Sequence, residues 1–358
     1  MNYGARQRRL QEALLASGAE AFLVTHPPNL RYLCGFTGSS GALLLARGKR
    51  VLFTDGRYTT QARTEAEGVR VALAAGPLLE AAAAWFSRQR TRHIAVEAQH
   101  MTLATRAVLV RFLPKRVRLK PLEGLVERLR MVKEPAEVAL IRSAVRLGSA
   151  LFNRALKVLR PGVTEAEVAA EIEYAARRAG AQGMSFETIV AGGRRSALPH
   201  GIASSQPIPN KGFVVLDFGV ILGGYCSDMT RTVHMGPAPR QAREMYEVVR
   251  KAQERAVASV RPGAKAAEVD YAARQVLQEA GLGRYFTHST GHGLGLEIHE
   301  PPRLGKGQAE LLAPGMVVTV EPGVYVAGRG GVRIEDVVVV TGKGCEVLTP
   351  TPKELIEM

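Results

Sequence analysis

The sequence predicts an α/β N-terminal domain followed by an α+β domain built as an internal pseudo-two-fold repeat. Its 358 residues are enough for about two domains. Strand-like and helix-like segments alternate over the first 125 residues, and a helix–helix–hairpin pattern then occurs twice. Apolar residues make up 46% of the chain and charged residues 23%, so a large core is available and disorder is not expected.

In the first domain, residues 1–125, short apolar segments predict strands and amphipathic segments predict helices. Strands are expected at Ala21–Thr25, Val51–Thr54 and His93–Val96, and helices at the N-terminus, near Gln61, near Leu78 and over Thr102–Phe112. The basic segment Arg116–Lys120 is interpreted as a strand or a linker. Residues 126–135, which end at Pro135, are expected to connect the two domains because proline terminates regular structure.

The second domain, residues 136–358, contains two copies of one pattern, offset by 101 residues. Residues 160–168 read RPGVTEAEV, and residues 261–269 read RPGAKAAEV. Each copy follows a long helical segment, opens another helix after Pro-Gly, and is followed by two strand-like segments. We therefore expect a pseudo-two-fold domain in which two hairpins face each other across a central sheet.

Each predicted hairpin carries two acidic residues in apolar surroundings. Asp217 and Asp228 belong to the first copy, and Glu321 and Glu335 to the second. A single acid in a buried strand is usually a structural carboxylate with a partner, because an unpaired buried charge is costly. Four acids at matching positions repel one another and raise each other's pKa, and divalent cations between them remove that penalty. The pattern therefore predicts a metal site.

A fifth ligand is available in the motif THSTGHGLGLEIHEPP. His292 lies between Gly291 and Gly293, where the backbone can approach another group closely. A phosphate loop is not indicated, since no Lys-Ser/Thr pair follows these glycines. The oxygen-rich set suits two ions such as Mn²⁺, Co²⁺, Fe²⁺ or Zn²⁺. Two ions about 3.5–4 Å apart can activate water and polarise a carbonyl, which is the chemistry of metal-assisted hydrolysis.

Other side chains near this set are candidates for substrate contacts, although any single histidine is more often a surface or core residue. His299, seven residues after His292, is the best candidate for an electrophile or a positioning group. His200 lies on a Gly-rich loop that is placed to close over the site. Arg333 shares a strand face with Glu335, so it is placed to support a carboxylate or hold a substrate terminus.

Charge and cysteine content restrict the classes of partner and compartment. The net charge is +15, from 48 basic and 33 acidic residues, but the arginines are scattered without basic blocks or interleaved aromatics. A solvated basic surface is therefore favoured over nucleic-acid binding. Cys34, Cys226 and Cys345 are far apart and odd in number, which excludes a disulfide framework and fits a reducing cytoplasm. Neither a membrane span nor a signal peptide is expected, because long apolar runs are missing.

These residues, in this order, resemble the metallopeptidase family of aminopeptidase P, prolidase and methionine aminopeptidase, whose catalytic domain has the pita-bread fold. The motifs are LDFG, SDMTRT, GHGLGLEIHE, VEPGVY and GVRIED, after an N-terminal domain of about 125 residues. The resemblance implies that Asp217 binds one metal and that His292 and Glu321 bind the other. It implies that Asp228 and Glu335 bridge both, and that Glu321 also shuttles a proton.

The resemblance also implies roles for residues around the ligands. His200 and His299 match histidines of the family that bind substrate and stabilise the transition state. His288, Tyr325 and Arg333 match supporting positions. The complete set of ligand types argues against metal-free relatives such as creatinase and the non-catalytic homologues.

Within the family, the Pro301-Pro302 pair, the two-domain layout and the SDMTRT motif favour the branch that hydrolyses Xaa-Pro bonds. The segment containing Asp55, Arg57 and Tyr58 resembles small bacterial aminopeptidases P, and in a homodimer it is placed to reach the partner's active site. Asp55-Gly56 is also an ordinary turn signal. We expect a cytoplasmic, homodimeric Xaa-Pro aminopeptidase with two divalent ions, Mn²⁺ first among them. The alternatives are a prolidase restricted to dipeptides, another metallohydrolase using the same site, and a non-catalytic binding module.

Overall fold

The structure, a computed structural model, describes residues 1–46 and 48–358. The chain divides into two compact units, Met1–Arg130 and Met131–Met358. Within the described residues, no helix combines the length and the apolar character needed to cross a membrane.

The N-terminal unit is an α/β structure built on one six-stranded sheet. Its helices are α1 (Tyr3–Ala16), α2 (Pro27–Cys34), α3 (Thr59–Glu65), α4 (Leu78–Ser87), α5 (Leu103–Phe112) and α6 (Leu125–Met131), which ends at the unit boundary. Its strands are β1 (Ala21–Val24), β2 (Gly41–Ala46), β3 (Lys49–Thr54), β4 (Arg70–Leu73), β5 (His93–Glu97) and β6 (Arg118–Leu122). In the order β4-β3-β2-β1-β5-β6, β2 is antiparallel to both neighbours and the other pairs are parallel.

The sequence patterns of this unit correspond to its elements. Strands β1 and β2 are buried along their whole length, which is why they read as continuous apolar runs. The basic segment around residue 118 is the edge strand β6, where lysine and arginine discourage pairing with another chain. The expected connection, residues 126–135, is mostly helical, because α6 ends at Met131 and the next helix begins at Pro135. The irregular link is therefore only residues 132–134.

The second unit contains four long helices and thirteen short strands among its described residues. The helices are α7 (Pro135–Val158), α8 (Glu165–Arg178), α9 (Arg240–Ser259) and α10 (Ala266–Glu279). The first-copy strands are β7 (Gly183–Met184), β8 (Ile189–Gly192), β9 (Gly212–Asp217), β10 (Val220–Leu222), β11 (Tyr225–Cys226) and β12 (Thr230–Met235). The second-copy strands are β13 (Gly291–Gly293), β14 (Glu300–Leu304), β15 (Val317–Val320), β16 (Gly323–Val326), β17 (Gly330–Arg333), β18 (Asp336–Val340) and β19 (Cys345–Val347).

The duplicated sequence pattern forms the helix pairs α7–α8 and α9–α10. In both copies the Pro-Gly turn needs a left-handed glycine, with φ of +86° at Gly162 and +79° at Gly263. In both copies a glutamate of the first turn, Glu167 or Glu268, accepts a hydrogen bond from the backbone N–H that precedes the helix. Each helix pair packs apolar residues on strands of its own copy. Ile141 and Val145 of α7 also pack against β15 and β18 of the second copy.

The two hairpins face each other, but they do not share one central sheet. Strands β9 and β12 belong to the sheet β12-β9-β8, whereas β15 and β18 belong to β14-β13-β15-β18-β19. The junction between the copies is made by individual hydrogen bonds, such as Thr232 Oγ1 to Arg333 O at 2.9 Å and Glu335 N to Thr230 O at 3.1 Å. A continuous sheet does not form because each hairpin is interrupted at its acidic residues.

Arg231 is a buried guanidinium that joins the two copies. It extends from β12, is 2% exposed, and donates to Asp336 Oδ1 at 2.8 Å and to Pro352 O at 2.8 Å.

We expect Arg231→Met to lower the free energy of unfolding by about 3–5 kcal/mol, since it leaves the buried Asp336 carboxylate with less compensation. Denaturant titration measures this change. Arg240→Ala, which removes an exposed ion pair with Glu244, is the control and should cost less than about 1 kcal/mol. Equal effects of the two substitutions would contradict the prediction.

Candidate metal centre

The five predicted ligands lie at strand ends of the second unit. Asp217 is the last residue of β9, and Asp228 precedes β12 by two residues. Glu321 directly follows β15, Glu335 directly precedes β18, and His292 lies in β13. Because the two copies interrupt their hairpins at equivalent places, the four acidic side chains converge as the repeat predicts.

These five residues line a cavity of about 890 Å³. Its walls combine acidic, imidazole and apolar side chains, all from the second unit. The lining residues are Phe186, Glu187, Ile189, Pro199, His200, Ile202, Asp217, Asp228, His288, Ser289, His292, Ile298, His299, Glu300, Pro301, Arg303, Gln308, Glu321, Arg333 and Glu335.

The glycines around His292 allow the close approach that the motif indicates. A Cβ atom on Gly291 would lie 2.0 Å from Thr319 O, and one on Gly293 would lie 2.3 Å from Pro301 O. Any larger residue would therefore push β13 away from its neighbours. The two glycines let β13 carry the imidazole of His292 into the cavity between two packed strands.

The ligand atoms surround a common space. One atom each of Asp228, His292 and Glu335 lies within 4.8 Å of the other two. His292 Nε2 is 3.6 Å from Asp228 Oδ2 and 3.5 Å from Glu321 Oε1. Two donors that each bind one ion at about 2.1 Å in tetrahedral geometry are separated by about 3.4 Å. The spacing is therefore that of ligands around a cation.

Two buried carboxylate oxygens supply an independent test of fit. Asp217 Oδ1 and Glu335 Oε1 are buried without a hydrogen-bond partner among residues 1–46 and 48–358. Such atoms are uncommon in folded proteins because desolvation is then uncompensated. Their companion oxygens are occupied, Asp217 Oδ2 by Arg333 Nη2 at 2.5 Å and Glu335 Oε2 by Thr230 Oγ1 at 2.8 Å. The free oxygens are the ones that a divalent cation would satisfy.

Without a cation, the acidic cluster favours bound protons. Burial, followed by repulsion from Glu335 and Asp217, raises the pKa of Asp228 well above its ordinary value. Burial and the charges of Glu321 and Asp217 likewise raise the pKa of Glu335. Burial raises the pKa of Glu321 to about 8, against the opposing charge of Arg333. A divalent cation would displace these protons and stabilise the ionised carboxylates.

His292 is prepared to bind metal as a neutral imidazole. Burial lowers the pKa of His292 to about 4. Its Nδ1 lies 3.0 Å from Gly293 O, so this nitrogen carries the hydrogen and donates to the carbonyl. The Nε2 lone pair therefore faces the carboxylates of Asp228 and Glu321. A backbone acceptor that selects the tautomer in this way is typical of metal-binding histidines.

The three predicted supporting residues form one hydrogen-bonded chain. His288 Nδ1 lies 2.8 Å from Ser289 O, and His288 Nε2 lies 2.9 Å from the hydroxyl of Tyr325. Burial lowers the pKa of His288 to about 4 and raises the pKa of Tyr325 to about 12, so the tyrosine hydroxyl donates to the neutral imidazole. Arg333 Nη1 donates to the same hydroxyl at 2.6 Å. This series of hydrogen bonds ends at Asp217, whose Oδ2 accepts from Arg333 Nη2.

His200 and His299 both line the cavity, on walls contributed by different copies of the repeat. The rings of His299 and His292 meet edge to face with their centroids 4.4 Å apart. Burial, and then the neighbouring His200, lower the pKa of His299. His200 follows Pro199, whose carbonyl accepts a hydrogen bond from Arg333 Nη1 at 2.9 Å. Both imidazoles are therefore placed beside the acidic cluster.

Asp55, Arg57 and Tyr58 form a separate cluster in the N-terminal unit. Arg57 Nε and Nη2 donate to the two Asp55 oxygens at 3.0 and 2.9 Å, and the Tyr58 hydroxyl lies 2.6 Å from Ser39 Oγ. The hydrogen bond from Arg57 holds the pKa of Asp55 below its ordinary range. Asp55 also accepts from the Arg57 backbone N–H, which is the turn role that the Asp-Gly pair indicates.

Two buried threonines support the ligands and were not among the predicted residues. Thr230 Oγ1 contacts Glu335 and accepts from Arg333 Nε at 3.0 Å. Thr319 Oγ1 accepts from His292 N at 3.1 Å and donates to Glu321 at 3.5 Å. Each threonine is two residues from an acidic ligand along its strand, so the strand period that placed Arg333 could have found them.

The fold and the site define a metal-dependent hydrolase of the duplicated-hairpin type. A family model described as Metallopeptidase family M24 matches residues 139–342, and one described as Creatinase/Prolidase N-terminal domain matches residues 6–132. The chain belongs to metallopeptidase family M24, and its first domain is of the creatinase/prolidase type. The fold class and the family inferred from the motifs are thereby confirmed.

Several relatives match nearly the full chain. It is 41% identical over 339 residues to the uncharacterized peptidase YqhT of Bacillus subtilis, covering 95% of this chain and 96% of the relative. The solved Xaa-Pro dipeptidase from Bacillus anthracis is 40% identical, with a TM-score of 0.97 and 100% coverage of both chains. The solved X-Pro aminopeptidase from Thermotoga maritima is 34% identical, with a TM-score of 0.90 and coverage of 97% and 100%.

We expect the metal-free protein to lose stability as the pH rises from about 6.5 to about 8. In this range the folded carboxyls keep protons that the unfolded chain has released, up to the pKa of about 8 at Glu321. Below pH 6.5 His288 and His292, whose pKa values burial lowers to about 4, gain protons on unfolding and oppose this trend. Saturating Mn²⁺ should remove this trend, because the cation replaces the protons. Thermal melts across this range, with chelator and with Mn²⁺, measure both behaviours.

The control is Glu346→Gln, which alters an exposed carboxylate and should leave the trend unchanged. A chelator-treated melting temperature that stays constant or rises with pH would contradict the prediction.

Proposed function

We propose that this chain is a metal-dependent peptidase that hydrolyses the bond between a first residue and a following proline. The observation that carries the proposal is the five-donor centre, with two buried carboxylate oxygens that lack partners among the described residues. The centre opens on a cavity of about 890 Å³, a size that suits a small ligand. Relatives with Xaa-Pro dipeptidase and X-Pro aminopeptidase names support the choice of bond.

Two divalent cations would be held by Asp217, Asp228, His292, Glu321 and Glu335. Bound divalent cations would supply a Lewis acid for the substrate carbonyl and a water that is more acidic than bulk water. Mn²⁺ is the first choice, since hard oxygen donors dominate the set, and Co²⁺, Zn²⁺ or Fe²⁺ are the other candidates.

Glu321 is the residue that moves the proton in this mechanism. Glu321 lines the cavity, and its Oε1 lies 3.5 Å from His292 Nε2, so its carboxylate is placed beside the other ligands where a proton can be passed on. Glu321 takes a proton from the attacking water and delivers it to the proline nitrogen as the bond breaks. That nitrogen has no hydrogen of its own before cleavage, so the leaving group depends on this delivery.

His299 and His200 hold the substrate in this proposal. A lowered pKa keeps the imidazole of His299 neutral near pH 7, with an N–H that can donate to the carbonyl oxygen as charge develops there. His200, from the first copy of the repeat, contacts the substrate from another wall of the cavity. The chain of His288, Tyr325 and Arg333 keeps the Asp217 carboxylate oriented, since Arg333 donates to both the tyrosine and the aspartate.

The dipeptidase activity is the second candidate, and it is favoured by the name of the Bacillus anthracis structure, which matches over 100% of both chains. The aminopeptidase activity is favoured by the Asp55–Tyr58 segment. In the aminopeptidase proposal two chains form a homodimer, and Arg57 and Tyr58 cover the N-terminal side of the substrate in the partner. Among the described residues Cys34, Cys226 and Cys345 form no disulfide, which supports a cytoplasmic location.

We expect Asp228→Asn and Glu335→Gln to lower kcat on an Xaa-Pro peptide by about 10³-fold or more. Each substitution removes one negative charge that would hold the cations, and a loss of this size corresponds to about 4 kcal/mol of transition-state stabilisation. Steady-state kinetics with Mn²⁺-loaded protein measures kcat, and circular dichroism checks the fold. Glu346→Gln is the matched control and should retain the activity of the unsubstituted chain. Substantial turnover by either ligand variant would refute the proposed centre.

Substrate length separates the two activities. We expect Mn²⁺-loaded enzyme to cleave an Xaa-Pro-Yaa tripeptide faster than an Xaa-Pro dipeptide, with a chelator-treated sample as the control. Cleavage of the dipeptide alone would instead assign a prolidase. The variants Arg57→Ala and Tyr58→Ala belong in the same assay. Unchanged kinetics in both would limit Asp55–Tyr58 to its turn role.

A further inference from the structure

A buried ion pair lies beside the metal centre and is not used by the mechanism above. Lys133 Nζ lies 3.2 Å from Glu300 Oε2, and the two side chains are only 1% and 3% exposed. Glu300 directly follows His299 in the chain and lines the same cavity. Burying two charges in this way gains little stability over an apolar pair of the same size, because desolvation offsets the attraction. The position of the pair therefore calls for a functional explanation.

The carboxylate of Glu300 closes the loop that presents His299. Its Oε1 accepts a hydrogen bond from Glu297 N at 3.0 Å. The same carboxylate fills the space beside Gly295, where a Cβ would lie 2.8 Å from Glu300 Oε2. The loop connects two neighbouring strands, and the residues at its two ends are paired with each other, Gly293 of β13 with Glu300 of β14. Residues 295–299 are thus folded around this one side chain, and His299 is the last of them.

Hydrogen bonds hold both the backbone and the ammonium group of Lys133. Its backbone N–H donates to Gly315 O at 2.9 Å, and its Nζ also lies 3.3 Å from Met131 O. The ammonium neutralises Glu300 at a place where five other carboxylates line the same cavity. Without it, the buried Glu300 carboxylate would lose the positive charge that lies against its Oε2.

We propose that Lys133 is a positioning residue for His299. Its ammonium holds the Glu300 carboxylate in the 295–300 loop, which fixes the imidazole of His299 toward the metal centre and keeps Glu300 out of the metal-binding set. The inference rests on the proposed function only in giving His299 a role in turnover. The placement of His299 by Lys133 is a separate, structural statement.

A double-mutant cycle tests whether Lys133 acts through His299. We expect Lys133→Met to lower kcat on an Xaa-Pro peptide by about tenfold or more with little change in KM, the usual size of the effect for a residue that supports the reacting groups. In a His299→Ala background the same substitution should change kcat less than about twofold, because the group that it positions is gone. Lys133→Arg, which keeps the charge, should recover most of the activity. Equal losses of kcat in both backgrounds would overturn the proposal.

Two further variants separate positioning from folding. Lys133→Met/Glu300→Gln has no uncompensated charge, so it should fold with a melting temperature near that of the unsubstituted chain and still show lowered kcat. Ile172→Ala removes a fully buried apolar side chain of α8 and should lower the melting temperature while leaving kcat unchanged at a temperature where it is folded. If Ile172→Ala lowers kcat as much as Lys133→Met does, the effect is general destabilisation and the proposal fails.

A measurement without turnover distinguishes failure of this inference from failure of the proposed function. Nitrogen-15 NMR of the metal-free protein, with the His299 signal assigned from His299→Ala, follows the imidazole directly. Lys133→Met should shift or broaden the His299 resonances and leave those of His93, in the N-terminal unit, unchanged. If the unsubstituted chain cleaves no Xaa-Pro peptide, the peptidase proposal fails, and the NMR result alone decides the role of Lys133. Unchanged His299 resonances would refute it.

Discussion

The convergence of four carboxylates in one largely buried cavity is the constraint on which the second unit depends. Desolvation and mutual repulsion oppose ionisation of Asp228, Glu321 and Glu335, so the site favours protons or cations over free charges. The protein places the four acids at interruptions of its strands. There the side chains can turn inward without removing hydrogen bonds from the middle of a sheet. The divided sheets of this unit are the structural result.

The residues around Asp217 and Glu335 leave one carboxylate oxygen of each available to bind a cation. Arg333 and Thr230 each occupy one oxygen of a ligand, on Asp217 and Glu335, and the other oxygen of each ligand has no partner among the described residues. His292, whose pKa burial lowers to about 4, provides a neutral imidazole nitrogen within 4.8 Å of a Glu335 oxygen. The arrangement provides oxygen and nitrogen donors that suit a divalent cation, as membership of metallopeptidase family M24 implies.

The two copies contribute unequally to this site. The first copy supplies Asp217 and Asp228, whereas the second supplies Glu321 and Glu335 and adds the imidazole of His292 on β13, the strand that pairs with β15. The loop that follows His292 carries His299 and is closed by the Lys133–Glu300 pair. Duplication therefore explains the symmetry of the carboxylates, and the loop after His292 explains why the second copy also brings His299 to the cavity.

The sequence by itself determined the repeat, the two-domain fold class, and the residue types of the centre. Those features are carried by local patterns: strand periodicity, Pro-Gly turns, and acids or a histidine in apolar motifs. Tertiary structure alone decided the division into separate sheets, the oxygens that stay free, and the pairing of Lys133 with Glu300 across 167 residues of chain. These features depend on distances of a few ångströms between remote segments, and a linear pattern specifies which residues are polar but not which polar atoms meet.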